Sequence, residues 1–192
     1  PQEWMTDPMT SMPGSLEHWL EHIQSVHFRS IDLSLDRVRR VRHILRLQRP
    51  PIVVTIAGTN GKGSSAAILE SVLKIAGRKV GTYTSPHLIE YRERIRVNGA
   101  YIEEKKLLDA FYAIESARQN IPLTFFEFGT LAALLLFQQA SVEVAILEVG
   151  MGGRLDAVNT ETPDVVLLTP ITIDHEQWLG SNNEEIGAEK AG

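Results

Sequence analysis

The stretch Gly58-Thr59-Asn60-Gly61-Lys62-Gly63-Ser64-Ser65 has the residue types needed to hold phosphate, and the apolar run Ile52 to Ala57 leads straight into it. Gly58, Gly61 and Gly63 let the backbone take positive φ and leave room for a large anion to approach the amides. If a helix follows the turn, its free N–H groups, its dipole and the Lys62 ammonium all address the same oxygens. The spacing departs from the standard phosphate-loop pattern, because two residues separate Gly58 from Gly61 and Gly63 stands between Lys62 and the hydroxyl of Ser64. A glycine-rich turn with a solvated lysine is the competing reading.

Other groups along the chain could serve the same chemistry. Glu148 ends the apolar run that begins at Val142, and a carboxylate at a strand end beside phosphates suits Mg2+, bound directly or through water. A plain surface carboxylate is the alternative there. Ser85, in Ser85-Pro86-His87, follows the strand-like run Lys79 to Thr84. Asp174-His175 lies beyond the apolar run Asp164 to Thr169, where a single imidazole is as readily a hydrogen-bonded structural group as a ligand. Glu127 sits among Phe125, Phe126 and Phe128, and a carboxylate in such company needs a partner.

A sheet is needed to bring these groups to one edge. The strand 52–57, a helix from Ser65 to Ala76 carrying Ile68, Leu69, Val72, Leu73 and Ile75, a stop at Gly77 and the strand 79–84 form a βαβ unit. Its strands are expected to be parallel, with a right-handed crossover. Ser85 then shares the ligand-binding edge with the glycine turn, and lies near the phosphates if the two strands are neighbours. Ahead of this unit, Ser15 caps a helix over Leu16 to about His27, and Ser34 caps a second with Val38, Val41, Ile44, Leu45 and Leu47 on one stripe. Arg37, Arg39, Arg40, Arg42 and Arg46 read as the solvated faces of that second helix rather than as an anion site.

Downstream, Arg92 to Val97 followed by Asn98-Gly99 reads as a charged hairpin at a sheet edge, with contact to an anionic substrate as the alternative. Glu103 to Arg118 is an amphipathic helix, and Phe125 to Phe137 a nearly all-apolar one to be buried between layers. Ser181 to Glu184 has capping-box spacing and opens a last helix containing Ile186, Glu189 and Lys190. The expected fold class is α/β, a phosphate-loop-type, mostly parallel sheet flanked by helices.

The totals narrow the function. With 192 residues, 43% hydrophobic and 22% charged, the chain is expected to fold as a globular domain. A net charge of −5 argues against a general nucleic-acid surface, which needs dense positive charge. The sequence has no cysteine, so any metal is held by oxygen, imidazole or phosphate. Residues 1–14 read as a loose leader without secretory character, and Leu131 to Phe137 is too short to span a bilayer. A cytoplasmic monomer with no membrane partner is expected, its single domain covering residues 15–192.

Together, Gly58 to Ser64, Ser85-Pro86-His87-Leu88, Phe126-Glu127-Phe128-Gly129-Thr130, Glu148 through Asn159, and Asp174-His175 through Glu189-Lys190-Ala191-Gly192 closely resemble the bacterial bifunctional folylpolyglutamate synthase/dihydrofolate synthase family. That family belongs to the Mur ligase superfamily, and the resemblance runs in order from about Ser15 to Gly192.

The resemblance implies the central ATPase domain of an ATP-dependent ligase. ATP would phosphorylate the carboxylate of dihydropteroate or of a folate, and L-glutamate would attack the acyl phosphate. By matching position, Gly58, Thr59, Asn60, Gly61, Lys62, Gly63 and Ser64 hold the ATP phosphates, with Lys62 also catalytic, and Ser85 and Glu148 ligate Mg2+. His175 matches a second-metal ligand, and Lys190 a lysine carbamylated in the family, and both join Lys62 as catalytic residues. Thr124, Phe125, Phe126 and Glu127, with Leu155, Asp156 and Ala157, match pterin-binding loops, and Ile31 to Arg37 a segment that closes over the pterin. Family members carry a further C-terminal α/β domain, so weak or absent turnover is expected from these residues alone. A peptidoglycan-precursor ligase and a non-catalytic nucleotide-binding module are the alternatives.

Overall fold

The computed structural model describes residues 13–27, 32, 34–172, 184 and 187–188. Helix α1 (Leu16–Val26) starts where expected, the Ser15 hydroxyl accepting the His18 N–H at 3.3 Å, and it buries Trp19 and Ile23. Helix α2 (Asp36–Ile44) is capped by Leu35 rather than Ser34, whose hydroxyl instead accepts the Asp36 N–H. Its buried face is Val38 and Val41, while Ile44 is exposed.

Six strands form one sheet: β1 (Ile52–Ala57), β2 (Val80–Tyr83), β3 (Ile95–Val97), β4 (Ala100–Tyr101), β5 (Val144–Glu148) and β6 (Val165–Leu168), in the order β4-β3-β2-β5-β1-β6. β1, β2, β5 and β6 are parallel, and β3 and β4 add an antiparallel hairpin through Asn98-Gly99. β1 and β2 are parallel as expected but are not neighbours, because β5 lies between them and pairs with both. The expected strand from Arg92 begins at Ile95; the Glu93 carboxylate accepts the N–H groups of Leu88, Ile89 and Glu90 and winds Tyr91–Arg94 into a 3-10 turn.

Helix α3 (Lys62–Ile75) packs on one face of the sheet, against Ile56, Val80 and Ile146. Its buried side is Ala66, Leu69, Glu70 and Leu73, which leaves Ile68, Val72 and Ile75 exposed on the opposite side and divides the expected apolar stripe. Helices α4 (Glu104–Arg118) and α5 (Phe125–Gln139) cover the other face together with α1 and α2. At Gly81 α5 presses close on the sheet, since a Cβ there would meet the Phe137 ring at 2.6 Å. The expected final helix is described only at Glu184, Gly187 and Ala188, which are helical; Ile186, Glu189 and Lys190 lie outside the described residues.

Candidate functional site

A cavity of about 400 Å³ opens beyond the ends of β1, β2 and β5. Lys62 and Ser85 line one end of it; Thr124, Phe126, Glu127, Leu155, Asp156 and Ala157 line the other.

The glycine turn builds the first end by backbone geometry. Gly58 has φ +133°, and a Cβ on it would stand 2.0 Å from Thr169 Oγ1, so no other residue fits without movement. Gly61, at φ +85°, is the N-cap of α3, which turns the chain within one residue and starts the helix at Lys62, ahead of the expected Ser65. Lys62, Gly63 and Ser64 form the helix's first turn, whose N–H groups have no intrahelical acceptor. The Lys62 ammonium donates to the carbonyls of Gly58 and Thr59, at 3.2 and 3.4 Å. The Thr59 and Asn60 amides do not face outward, because both donate to Pro170 O, and the Thr59 hydroxyl donates to Thr172 O.

Glu148 is buried where β5 meets this turn. One carboxylate oxygen accepts the Ser85 N–H at 3.0 Å, and the same oxygen lies 3.9 Å from where a Gly63 Cβ would be. The strand inserted between β1 and β2 is therefore what brings Ser85, Glu148 and the first turn of α3 together. Burial raises the Glu148 pKa, opposed by the Ser85 hydrogen bond and the charges of Lys62, Arg96 and Arg94. Among the described residues no group of three His, Asp or Glu side chains could cage a metal. One carboxylate and one hydroxyl beside a glycine turn that opens a helix nonetheless fit Mg2+, which keeps several waters and takes substrate phosphates as ligands.

Buried polar side chains build the second end. Thr124 caps α5, accepting the Glu127 N–H at 3.2 Å while Glu127 accepts the Thr124 N–H at 2.7 Å. The partner that Glu127 requires is Arg37, whose Nη2 donates at 3.1 Å and whose Nη1 also reaches Asp32 at 3.2 Å. Arg37 is thus not a solvated helix residue, and neither is Arg42, which pairs with the buried Glu161. Asp32 and Ser34 line the cavity, so the segment expected to close over the pterin borders it, with Ile31 and Leu33 outside the described residues. Phe126 forms a wall and lies against Gly150, where a Cβ would meet its ring at 2.6 Å. Phe125 does not line the cavity; its ring packs edge-on against Tyr91 at 5.6 Å.

Asp156 accepts the N–H groups of Met151 at 2.9 Å and Val158 at 3.0 Å, and Asn159 closes the same loop by donating to Gly153 O. Burial pushes its carboxyl up to about 7, against the pull of those amides and of Lys62. Near neutral pH this group can therefore accept from a ligand N–H as a carboxylate or donate to a ligand acceptor as an acid.

Sequence reasoning reached Asp32 and Arg37 only as part of a segment resembling one that closes over the pterin, and Arg94 only within a run whose alternative reading was contact with an anionic substrate; it gave none of the three a role of its own. Glu127's need for a partner was a signal for Arg37, but nothing local to Glu127 identified it. His175 and Lys190 lie outside the described residues.

The model of the Mur ligase middle domain matches residues 56–192. A dihydrofolate synthase/folylpolyglutamate synthase of Escherichia coli (strain K12) is 51% identical over 186 residues, covering 96% of this chain and 44% of that protein. The solved structure of E. coli FolC in complex with DHPP and ADP superposes with a TM-score of 0.92 at 50% identity, covering 94% of this chain and 45% of that one. That of the bifunctional folylpolyglutamate synthase/dihydrofolate synthase from Yersinia pestis, complexed with AMPPNP and Mn ion, has a TM-score of 0.88 at 47% identity, covering 97% and 45%. The chain thus spans less than half the length of these relatives.

Proposed function

Because the chain belongs to the Mur ligase family, we propose that it is the ATP- and pterin-binding part of a ligase that joins L-glutamate to dihydropteroate and to folates. One observation carries this reading: a phosphate-binding turn with Lys62 and an aromatic, carboxylate-bearing pocket with Phe126 and Asp156 are two ends of a single cavity. A nucleotide phosphate and a flat heterocyclic acid can meet there. The relatives solved with DHPP and ADP, and with AMPPNP and Mn ion, support the same pairing of ligands.

In this reading a carboxylate oxygen attacks the γ-phosphorus of ATP and ADP leaves; the glutamate amine then attacks the acyl carbon and phosphate leaves. The first-turn amides of α3 and the Lys62 ammonium, turned from its two carbonyls, hold the transferring phosphoryl group. Glu148 and Ser85 would hold Mg2+, which would supply positive charge against the phosphate oxygens. Thr124, Phe126, Glu127, Leu155, Asp156 and Ala157 shape the pteridine pocket, Phe125 backing it from outside. Asp156 is the group that pairs with pteridine N–H donors, in a pocket that Phe126 also lines.

His175 as a second-metal ligand and Lys190 as a carbamylated anion rest on the motif resemblance. The same reading takes residues 15–192 as one domain of a cytoplasmic monomer, without nucleic-acid or membrane partners. The net charge of −5 argues against a general nucleic-acid surface, and no helix among the described residues is long and apolar enough to cross a membrane. Turnover by this chain alone is expected to be weak, given its share of the relatives' length.

Calorimetric titration of dihydropteroate into the chain, with and without ATP and Mg2+, tests the reading. Saturable binding that Asp156→Ala removes, with the fold intact by circular dichroism, is expected. ATP binding without any pterin binding would favour a nucleotide-binding module instead.

A further inference from the structure

Arg94 is the cation that the proposed chemistry has not used. It lies in the 3-10 turn before β3 and lines the same cavity as Lys62, Phe126 and Asp156. Of the half-buried arginines described, Arg37, Arg42, Arg92, Arg96 and Arg118 each hold a carboxylate. Among the described residues Arg94 has none within ion-pair distance; its Nε donates to His87 Nδ1 at 2.8 Å, and neither Nη nitrogen has an acceptor. A guanidinium partly removed from water without an anion is costly, unless a ligand supplies one.

The group is also held in place. Its central carbon lies 5.4 Å from the ring centroids of both Tyr91 and Phe125, and the Nε bond to His87 fixes the direction of the fork. Two unoccupied Nη groups in a rigid plane match the paired oxygens of a carboxylate. The phosphate end already has its donors in Lys62 and the first-turn amides of α3, whereas Arg94 rests on Phe125, beside the aromatic wall.

We propose that Arg94 binds the carboxylate of the acyl substrate through its two Nη groups, holding it between the aromatic pocket and Lys62 for attack on the nucleotide. The assignment rests on the ligase reading above and adds to it the residue that selects an acid over its neutral analogue. It also gives a role to the charged run from Arg92 to Val97, whose edge-strand reading leaves Arg94 without one.

The test compares dihydropteroate with its carboxamide by calorimetry, in the unmodified chain and in Arg94→Gln and Arg94→Lys, with ADP and Mg2+ as a control ligand. The unmodified chain is expected to prefer the acid by about 10- to 100-fold, as for a charge-assisted hydrogen-bonded pair. Arg94→Gln should erase that preference while leaving carboxamide and ADP affinities unchanged, and Arg94→Lys should restore part of it. Equal loss for acid and carboxamide, a loss confined to ADP, or an undiminished preference in both variants would each overturn the assignment. If the unmodified chain binds neither pteridine, this assignment and the ligase reading both fail.

Discussion

The two ends of the cavity are held by different means. At the aromatic end, groups that line the cavity also tie the fold together: Glu127 caps α5, pairs with Arg37 and so holds Asp32, and Asp156 gathers the amides of its own loop. At the phosphate end the shape comes from glycine backbone, and the Lys62 side chain rests on two carbonyls that it can leave. Binding and stability share atoms at the first end and are separable at the second.

The largest test of that contrast is pH. An Asp raised to about 7 in the folded protein holds its proton where an unfolded Asp, near 3.9, has lost it. Asp156 therefore stabilises the fold fully below about pH 4, and this contribution is lost as pH rises to about 7. Its share is up to about 4 kcal/mol, so unfolding free energy should fall across that window and Asp156→Asn should flatten the fall. Denaturant melts at several pH values check this; an unchanged slope in the variant would remove Asp156 from the account.

Next comes Glu127→Ala, which breaks a buried ion pair and a capping box together. A cost of roughly 3 kcal/mol is expected, at the low end for such a pair because Asp32 still holds Arg37. A loss of pterin affinity in this variant thus needs a check on folding before it is read as a lost contact. The smallest stability effect is expected from Lys62→Ala, within about 0.5 kcal/mol, while ADP affinity falls at least about 10-fold. If Lys62→Ala destabilised the chain as much as Glu127→Ala, the contrast between the two ends would collapse.

Much of this was legible in the sequence where local rules act. Strand, glycine turn and helix followed from apolar periodicity and punctuation between Ile52 and Gly77, and the strand-end position of Glu148 followed from the run that precedes it. What depends on contacts distant in sequence was not legible. That β5 inserts between β1 and β2 is decided by pairing across some sixty to ninety residues, and it alone explains why Ser85 meets Glu148. The arginines of α2 looked alike by spacing, yet Arg37 and Arg42 find carboxylates far along the chain, at Glu127 and Glu161. The apolar residues of α3 outnumber those one face can bury, so composition could not tell that Ile68, Val72 and Ile75 stay exposed.

The most direct measurement is a crystal structure of the chain with dihydropteroate and a non-hydrolysable ATP analogue bound together. The account predicts both ligands in the one cavity, the pteridine against Phe126 and Asp156 and its carboxylate at Arg94, with an acyl oxygen about 3–3.5 Å from the γ-phosphorus. A pteridine seated elsewhere, or a carboxylate turned away from the phosphate end, would contradict it.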